Sequence, residues 1–510
     1  MKLSIVFILA IALMVSFVNP TTAATKKPWT FMVYLDGDNN LEPYGIMNVN
    51  QMEKVGSTDA TNVVVLFDRA SGYDSTNGNW TDSRIMYITK DNDTSIMNSK
   101  VVKNCGELDM GSGKTLTDFV QYCKDNYPAE HYFLTLWNHG AGWKKKGGND
   151  VMRGVCYDDQ SGNHMDMASV ENSMVAIKGI LGQKLDVLDY DACLMAMLEC
   201  NYQIKDTVDY MTASEETEPG DGNPYELMLN GLTASTTPEQ YAIHIVDSYK
   251  EYYSSGSEGV TKSAVDLSKI QALTTAVADA ANAMNGKISA VKTAITTARK
   301  SVQVFYDADY ADLSHLCSTI KTTDTTIKPK LDAVVAAVKA AVINNCTVGT
   351  AMKNATGISI YFPSSSGSYL TKYDGLSFCT ATKWNKFLSA YYKGSSVSVE
   401  PVAENTPAET PSTSGSWWDN WFGSYTALQT EKLNLINAGR LEETMAMTIA
   451  QRDAQMVEEA RCQIETAIEN NTIHQLIANI SSLNDDQKLA VAPVVEEIKA
   501  QLIIAQLQKH

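Results

Sequence analysis

Two short stretches carry residue types that do chemistry. Trp137-Asn138-His139-Gly140-Ala141-Gly142-Trp143 follows the apolar run Tyr132 to Leu136. Asp189-Tyr190-Asp191-Ala192-Cys193-Leu194-Met195 ends a run that starts at Leu185 to Leu188. Each run reads as a buried strand, so one strand end delivers an imidazole and the other a thiol. Strand ends of an open α/β sheet are where ligands bind, and a Cys and a His meeting there supply a nucleophile and its proton shuttle. Gly140 lets a backbone amide approach a substrate closely, which makes it a candidate oxyanion-hole donor. The plainer readings are a structural His and an inert, core-filling Cys.

The residues around the Cys sharpen this. A helix is expected over Leu194 to Lys205, and a helix N-terminus favours the thiolate over the thiol. Asp191, two residues before Cys193, opposes that effect. Its carboxylate is therefore expected to point into a pocket, where it suits a cationic substrate side chain.

The elements that must position these residues follow from periodicity. Phe31 to Leu35, Val63 to Phe67, Met86 to Ile88, Tyr132 to Leu136, Gly154 to Tyr157, Leu185 to Leu188 and Tyr210 to Thr212 read as strands. Leu116 to Asn126, Ser169 to Leu181 and Leu194 to Lys205 read as helices between them. This alternation predicts an α/β fold with a mostly parallel sheet flanked by helices. Residues 237–350 are richer in helix, with Gln271 to Arg299 and Lys330 to Ile343 as helical stretches. Gly357 to Pro363 is a late strand that joins the sheet or packs beside it, and Lys383 to Tyr392 is a closing helix.

The chain has 510 residues, 44% apolar and 20% charged, with a net charge of −18. That composition is ordinary for a globular protein, and its sign argues against nucleic acid. Residues 1–24 read as a signal peptide: Lys2, an apolar core from Leu3 to Val18, then Thr21-Thr22-Ala23-Ala24. The mature protein is expected to be secreted or held at the cell envelope. The nine cysteines contain no Cys-x-x-Cys spacing, so zinc is not favoured. Export allows disulfides, and buried free thiols fit equally well. The globular part is expected to span 25–395. A Pro/Ser/Thr/Glu linker follows over 396–415, then a helical module over 416–510 that opens with Trp417, Trp418, Trp421 and Phe422. That aromatic group either staples a small core or docks an unidentified partner or surface.

These stretches together resemble the clostripain family of cysteine peptidases, relatives of caspases, gingipains and legumains. The resemblance rests on Phe31-Met32-Val33-Tyr34-Leu35-Asp36-Gly37-Asp38-Asn39-Asn40-Leu41, on Asn138-His139-Gly140, on Asp191-Ala192-Cys193-Leu194-Met195 with Glu199, and on Ser214-Glu215-Glu216-Thr217-Glu218-Pro219-Gly220. It covers residues 29–395 and none of the tail. It implies a caspase-like fold and a His139–Cys193 dyad acting through a thioester acyl-enzyme, with the amides of Gly140 and Cys193 as oxyanion hole. It also implies protein or peptide substrates cut after Arg or Lys. Asp191 matches one S1 acid by position. Asp221 is the second candidate, with Glu215, Glu216 and Glu218 as rivals and a plain turn as the bland reading. Some members are processed between their catalytic residues, and Lys144-Lys145-Lys146-Gly147-Gly148 and Arg153 lie there. Self-cleavage after Lys146 or Arg153 is expected.

No cofactor is required by this chemistry, and no metal ligand is assigned to the site. Asp36-x-Asp38-x-Asn40 starts like a calcium loop but has Leu41 and Met47 where an EF-hand needs Gly and Glu. A turn bracing the sheet is the preferred reading. Since some relatives use calcium, Ca²⁺ at a site of another kind stays open. Two rival functions remain: a peptide-binding scaffold without turnover, and a metal-dependent hydrolase built on Asp36, Asp38 and His139.

Overall fold

The computed structural model describes residues 26–144, 154–256 and 259–397. The chain divides into two units, residues 1–400 and 401–510, and the described residues all belong to the first. The signal segment, nearly all of the linker and the C-terminal helical module expected from the sequence lie outside them. So do Lys146 and Arg153. No helix among the described residues is long and apolar enough to cross a membrane.

Thirteen strands are present among the described residues. They are β1 (Lys27–Gly37), β2 (Thr61–Arg69), β3 (Ser83–Tyr87), β4 (Lys100–Gly106), β5 (Ala129–Trp137), β6 (Val155–Asp158), β7 (Asn163–Met165), β8 (Leu185–Asp191), β9 (Val208–Ala213), β10 (Val260–Asp266), β11 (Tyr310–Asp312), β12 (Val342–Val348) and β13 (Ser359–Tyr361). Nine of them form one sheet in the order β12-β10-β9-β8-β5-β1-β2-β3-β4. Its centre, β9-β8-β5-β1-β2, is parallel, and antiparallel pairs extend both edges. The expected mostly parallel sheet is therefore a mixed sheet with a parallel core. The edge strands escaped the sequence reading because β4 and β12 are largely half-buried or exposed and polar, which removes the apolar run.

β1 shows why the centre is legible. Phe31, Val33 and Leu35 pack on one face with Tyr225, Tyr241 and Ile245, while Met32 and Tyr34 pack on the other with Phe119 and Val120. A strand covered on both faces carries no polar alternation.

The second half sharpens two expectations. Gln271 to Arg299 is two helices, Ile270–Gly286 and Ile288–Ser301, separated at Lys287. The late strand does not join the main sheet. β13 pairs with β11 in a two-stranded sheet and meets the chain just after Cys193 through a bridge from Ser359 to Met197. Gly154 to Tyr157 likewise forms a separate hairpin, β6 with β7.

Candidate active site

The sheet register brings His139 and Cys193 together. β5 and β8 are parallel neighbours, and Trp137 stands opposite Asp191. Each reactive residue lies two positions beyond that pair, and the Asn138 N–H donates to the Asp191 carbonyl at 3.2 Å to keep the two exits in step. Gly140 then rests directly on the backbone of Cys193. A Cβ there would lie 2.4 Å from the Cys193 carbonyl oxygen, so only glycine fits. The chain after Cys193 turns sharply, with Leu194 at φ 66°, a conformation that costs a branched residue about 1–2 kcal/mol.

His139, Gly140, Asp191 and Cys193 line one cavity of about 400 Å³, closed on other sides by Leu41, Glu218 and Tyr306. His139 Nε2 lies 2.8 Å from Asn40 Oδ1. That amide oxygen only accepts, so it places the imidazole proton on Nε2 and leaves Nδ1 as the basic nitrogen. Burial holds the His139 pKa below its ordinary value, with Asp159 opposing. Cys193 Sγ accepts the Glu218 N–H at 3.3 Å. Burial pushes its thiol up to about 11, and the charges of Glu218, Asp191 and Glu216 add to that against this hydrogen bond. Both shifts favour the neutral thiol and the neutral imidazole over the ion pair.

The expected helix effect on the thiol is absent. The helix begins at Leu198, after an extended Met197, so its N-terminus does not open at Cys193. The intervening residues are held by β-type contacts instead: Leu194 N–H to the Glu216 carbonyl and Ala196 N–H to the Ser214 carbonyl. Glu199 on that short helix accepts from the Tyr361 N–H at 2.9 Å and the Tyr373 hydroxyl at 2.7 Å, which docks β13 behind the cysteine turn. Neither the Gly140 nor the Cys193 N–H is hydrogen-bonded within the described residues.

Asp191 lines the cavity, but its oxygens accept the Asn223 N–H and, at 2.8 Å, the Tyr225 hydroxyl. Glu218, one of the rival acids, also lines it. Lys262, on β10, reaches in from behind with no exposure. It bonds the Tyr190 carbonyl at 2.8 Å and Glu218 at 3.0 Å, and lies 3.3 Å from Asp189. Burial raises both Asp191 and Glu218, and Lys262 pulls both back down. Asp221 is not among the lining residues, although Gly220 and Gly222 on either side of it are. It is half-buried and accepts the Tyr252 hydroxyl at 3.0 Å. Glu215 and Glu216 are turned to structure, binding the Gly357 and Tyr306 N–H groups. Lys144 is pinned by Asp307 and Asp309 at 3.1 and 2.6 Å.

Asn40, Tyr225 and Lys262 were missed as parts of this site. Asn40 had a sequence signal, since it sits in the Asp36–Leu41 stretch. Lys262 had none, because its strand was not read. Asp36 and Asp38 do not line the cavity with His139, which removes the geometry a metal hydrolase of those three residues needs. They belong to a separate group of acids with Asp68, Glu107 and Asp158. The eight cysteines among the described residues are all unpaired.

Comparisons with known proteins point to one family. The model of the clostripain family matches residues 33–391. Clostripain of Hathewaya histolytica is 28% identical over 228 residues, which is 40% of this chain and 42% of that relative, so the chain spans under half the length of the curated relative it matches. A secreted C11 cysteine protease of Bacteroides thetaiotaomicron, solved with an irreversible peptide inhibitor, superposes with a TM-score of 0.54 at 21% identity, covering 70% of this chain and 99% of that one. An inactive zymogen C11 protease of Parabacteroides distasonis gives 0.55 at 20% identity with the same coverage. At these identities the two structures speak for the fold.

Proposed function

The chain belongs to the clostripain family, and from that premise we propose that it is a cysteine endopeptidase cutting peptide bonds after Arg or Lys through Cys193 and His139. The observation that carries this reading is the shared cavity that both side chains line, with Gly140 packed against the nucleophile's own backbone.

The resting pair is neutral, so the mechanism is general-base activation rather than a stored thiolate. As Cys193 Sγ bonds to the scissile carbonyl carbon, its proton passes to His139. The carbonyl oxygen becomes an oxyanion, held by the N–H groups of Gly140 and Cys193. His139 returns the proton to the departing amine, leaving a thioester. It then takes a proton from water, whose oxygen attacks the thioester and frees Cys193.

For the P1 cation, Asp191 and Glu218 supply buried negative charge close to the nucleophile. Asp221 lies beside the cavity between two lining glycines, half-exposed and bonded to the Tyr252 hydroxyl, and is the third acid within reach of a long P1 side chain. Arg gains more than Lys because its guanidinium pairs a carboxylate through two donors. Self-cleavage after Lys146 or Arg153 fits the anchoring of that segment's two ends, Lys144 and Gly154. Lys144 lines the cavity, and Gly154 accepts the N–H of the lining residue Ala141. Export by the leader of residues 1–24 and docking of a partner or surface by residues 416–510 complete the reading.

A fluorogenic peptide series varied at P1 tests it on full-length protein. Wild type is expected to prefer Arg and Lys. Cys193→Ala and His139→Ala are expected to lose turnover, and Asp221→Asn to raise KM for basic P1 selectively. Purified wild type should separate into two fragments on a denaturing gel while Cys193→Ala stays whole. Turnover that survives Cys193→Ala would overturn the nucleophile. Full binding of a P1-Arg peptide with no turnover by wild type would instead favour the scaffold.

A further inference from the structure

One wall of the cavity takes no part in the dyad or in holding the P1 cation. Thr217, Tyr306 and Asp307 line it together with Lys144. Tyr306 is 58% exposed, and of the seven large apolar or aromatic side chains exposed among the described residues it is the one that lines this cavity. From this placement we propose that Tyr306 forms the wall of the S2 subsite and selects an apolar P2 side chain next to the basic P1 residue. The proposal rests on the peptidase reading above and extends it by one substrate residue.

Three observations carry the assignment. The first is direction along the sheet edge. The parallel order β9-β8-β5-β1 sets out the 214–217 segment, Cys193, His139 and Asn40 in turn. On one flank of the nucleophile His139 meets Asn40 at 2.8 Å. On the other, the Leu194 N–H reaches the Glu216 carbonyl, and the Glu216 carboxylate accepts the Tyr306 N–H at 3.0 and 3.1 Å. His139 returns its proton to the departing amine, so the leaving half of the substrate lies on the His139 flank. The acyl half, which carries P2, lies on the flank of Tyr306.

The second is the shape of an extended peptide, whose successive side chains point to opposite faces. With P1 directed down toward the buried acids Asp191 and Glu218, P2 turns up toward the rim. A subsite at the rim is shallow and open, and an exposed aromatic ring suits it where an enclosed pocket would not.

The third is preparation. Phe305 is buried in the core while its neighbour Tyr306 is exposed. The loop between them and β11 is tied down: Val304 bridges Ala311, the Asp312 N–H binds the Gln303 carbonyl and the Tyr310 N–H the Asp307 carbonyl, both at 2.9 Å. Arg299 donates to the Phe362 and Ala308 carbonyls. Glu216 Oε1 also accepts the Thr217 N–H at 2.7 Å, which joins the backbone of Tyr306 to the segment beside Cys193. The ring is held before substrate arrives, so little ordering is lost on binding.

The charges of this wall are spent on each other. Lys144 Nζ pairs with Asp307 at 3.1 Å and with Asp309 at 2.6 Å. A charged P2 side chain has to break that pairing to gain a partner, whereas an apolar one over the ring only sheds water. A small apolar difference in a hydrophobic pocket is worth about 10–200-fold in kcat/KM. A rim open on one side belongs at the low end.

The test uses full-length protein and peptides whose P1 Arg is joined directly to a fluorogenic amine, so that only acyl-side residues vary. P2 is Ala, Leu, Phe, Asp or Lys. Wild type should favour Leu and Phe over Ala by about tenfold in kcat/KM, with Asp and Lys below Leu. Tyr306→Ala should lose that preference at an unchanged melting temperature, and Tyr306→Phe should keep it. Tyr73→Ala, an exposed tyrosine outside the cavity, should keep it too. Fluorescence anisotropy of labelled Leu-Arg and Ala-Arg peptide amides on Cys193→Ala protein, with and without Tyr306→Ala, reads the same ratio without turnover. A ratio that Tyr306→Ala leaves unchanged in both readouts overturns the proposal. So does a wild type that favours Asp or Lys at P2, or a loss in Tyr306→Phe equal to that in Tyr306→Ala. A binding ratio that depends on Tyr306, in a wild type without turnover, supports the subsite and overturns the peptidase reading. Neither binding nor turnover of any P1-Arg peptide overturns both.

Discussion

Two acid clusters lie at strand ends of one sheet and are balanced in opposite ways. Beside Cys193, Asp189, Asp191 and Glu218 surround the ammonium of Lys262. Asp189 also meets the Thr212 hydroxyl and the Asn223 amide, and Asp191 the Tyr225 hydroxyl, while Glu218 Oε2 is buried without a partner. At the ends of β1 and β2, Asp36, Asp38 and Asp68 have neighbours of their own sign and oxygens without partners. Burial of a carboxylate is therefore not in itself a sign of function. What matters is which group neutralises it. An internal lysine makes the first cluster part of a fixed wall behind the nucleophile. The second has no internal cation: none of the salt bridges among the described residues includes Asp36, Asp38, Asp68, Glu107 or Asp158.

The largest expected effect breaks the first balance. Lys262→Met leaves Asp189 and Glu218 buried without their cation, and removing one partner of a buried pair costs about 3–5 kcal/mol. Denaturant unfolding of the Cys193→Ala protein measures it. A loss below about 1 kcal/mol would mean that protons neutralise these acids as well as lysine does, and the two clusters would then be alike.

The next effect concerns where the first region meets the nucleophile. Gly140→Ala puts a methyl 2.4 Å from the Cys193 carbonyl, so one of the two strand exits must shift. A misplacement of about 1 Å costs roughly 100-fold, and kcat/KM should fall by that order while the unfolding midpoint moves little. The pH dependence sharpens the same point. The Cys193 thiol is pushed up to about 11 and the His139 imidazole is held down, both chiefly by burial. Over the pH range below the thiol's value, both shifts favour neutral groups. Iodoacetamide labelling of Cys193 in the free protein should therefore climb about tenfold per pH unit from 7 to 9, following the thiolate fraction. A plateau across that range would mean a preformed thiolate–imidazolium pair, stabilised despite the acids around it.

The first region was half legible in the sequence, and the second less so. His139 and Cys193 stood out because each follows a short apolar run; β5 ends at Trp137, one residue past the run read to Leu136, while β8 continues to Asp191, three residues past Leu188. Their adjacency needed only that the two strands be parallel neighbours. Lys262 was invisible: β10 reads Val260-Thr261-Lys262-Ser263, a polar pattern that is buried here only because Lys262 itself satisfies the acids. The helix expected at Leu194 failed for a tertiary reason. Leu194 and Ala196 donate their N–H groups to the 214–216 segment, and those contacts outweigh helix propensity. The acids at the β1 end were noticed as Asp36-x-Asp38-x-Asn40 and set aside as a turn. Their neighbours Asp68, Glu107 and Asp158 come from β2, the turn after β4 and β6, a grouping that no contiguous motif reveals.

The smallest expected effect tests the contrast by sign. Asn has nearly the volume of Asp, so one exchange can be made in each cluster without a cavity. Asp189→Asn removes charge from a cluster with a cation, weakens the hold on Lys262 and should destabilise. Asp36→Asn removes charge from a cluster without one. In chelator it relieves repulsion from Asp38, Asp68 and Asp158, and its amide can donate to them. Exchanges of a buried charge that cost no pairing are neutral or stabilising, so a gain of roughly 1 kcal/mol is expected in denaturant unfolding. If Asp36→Asn destabilises the chelated protein, the Asp36 carboxyl is already satisfied as it stands, and the two clusters differ in degree rather than in kind.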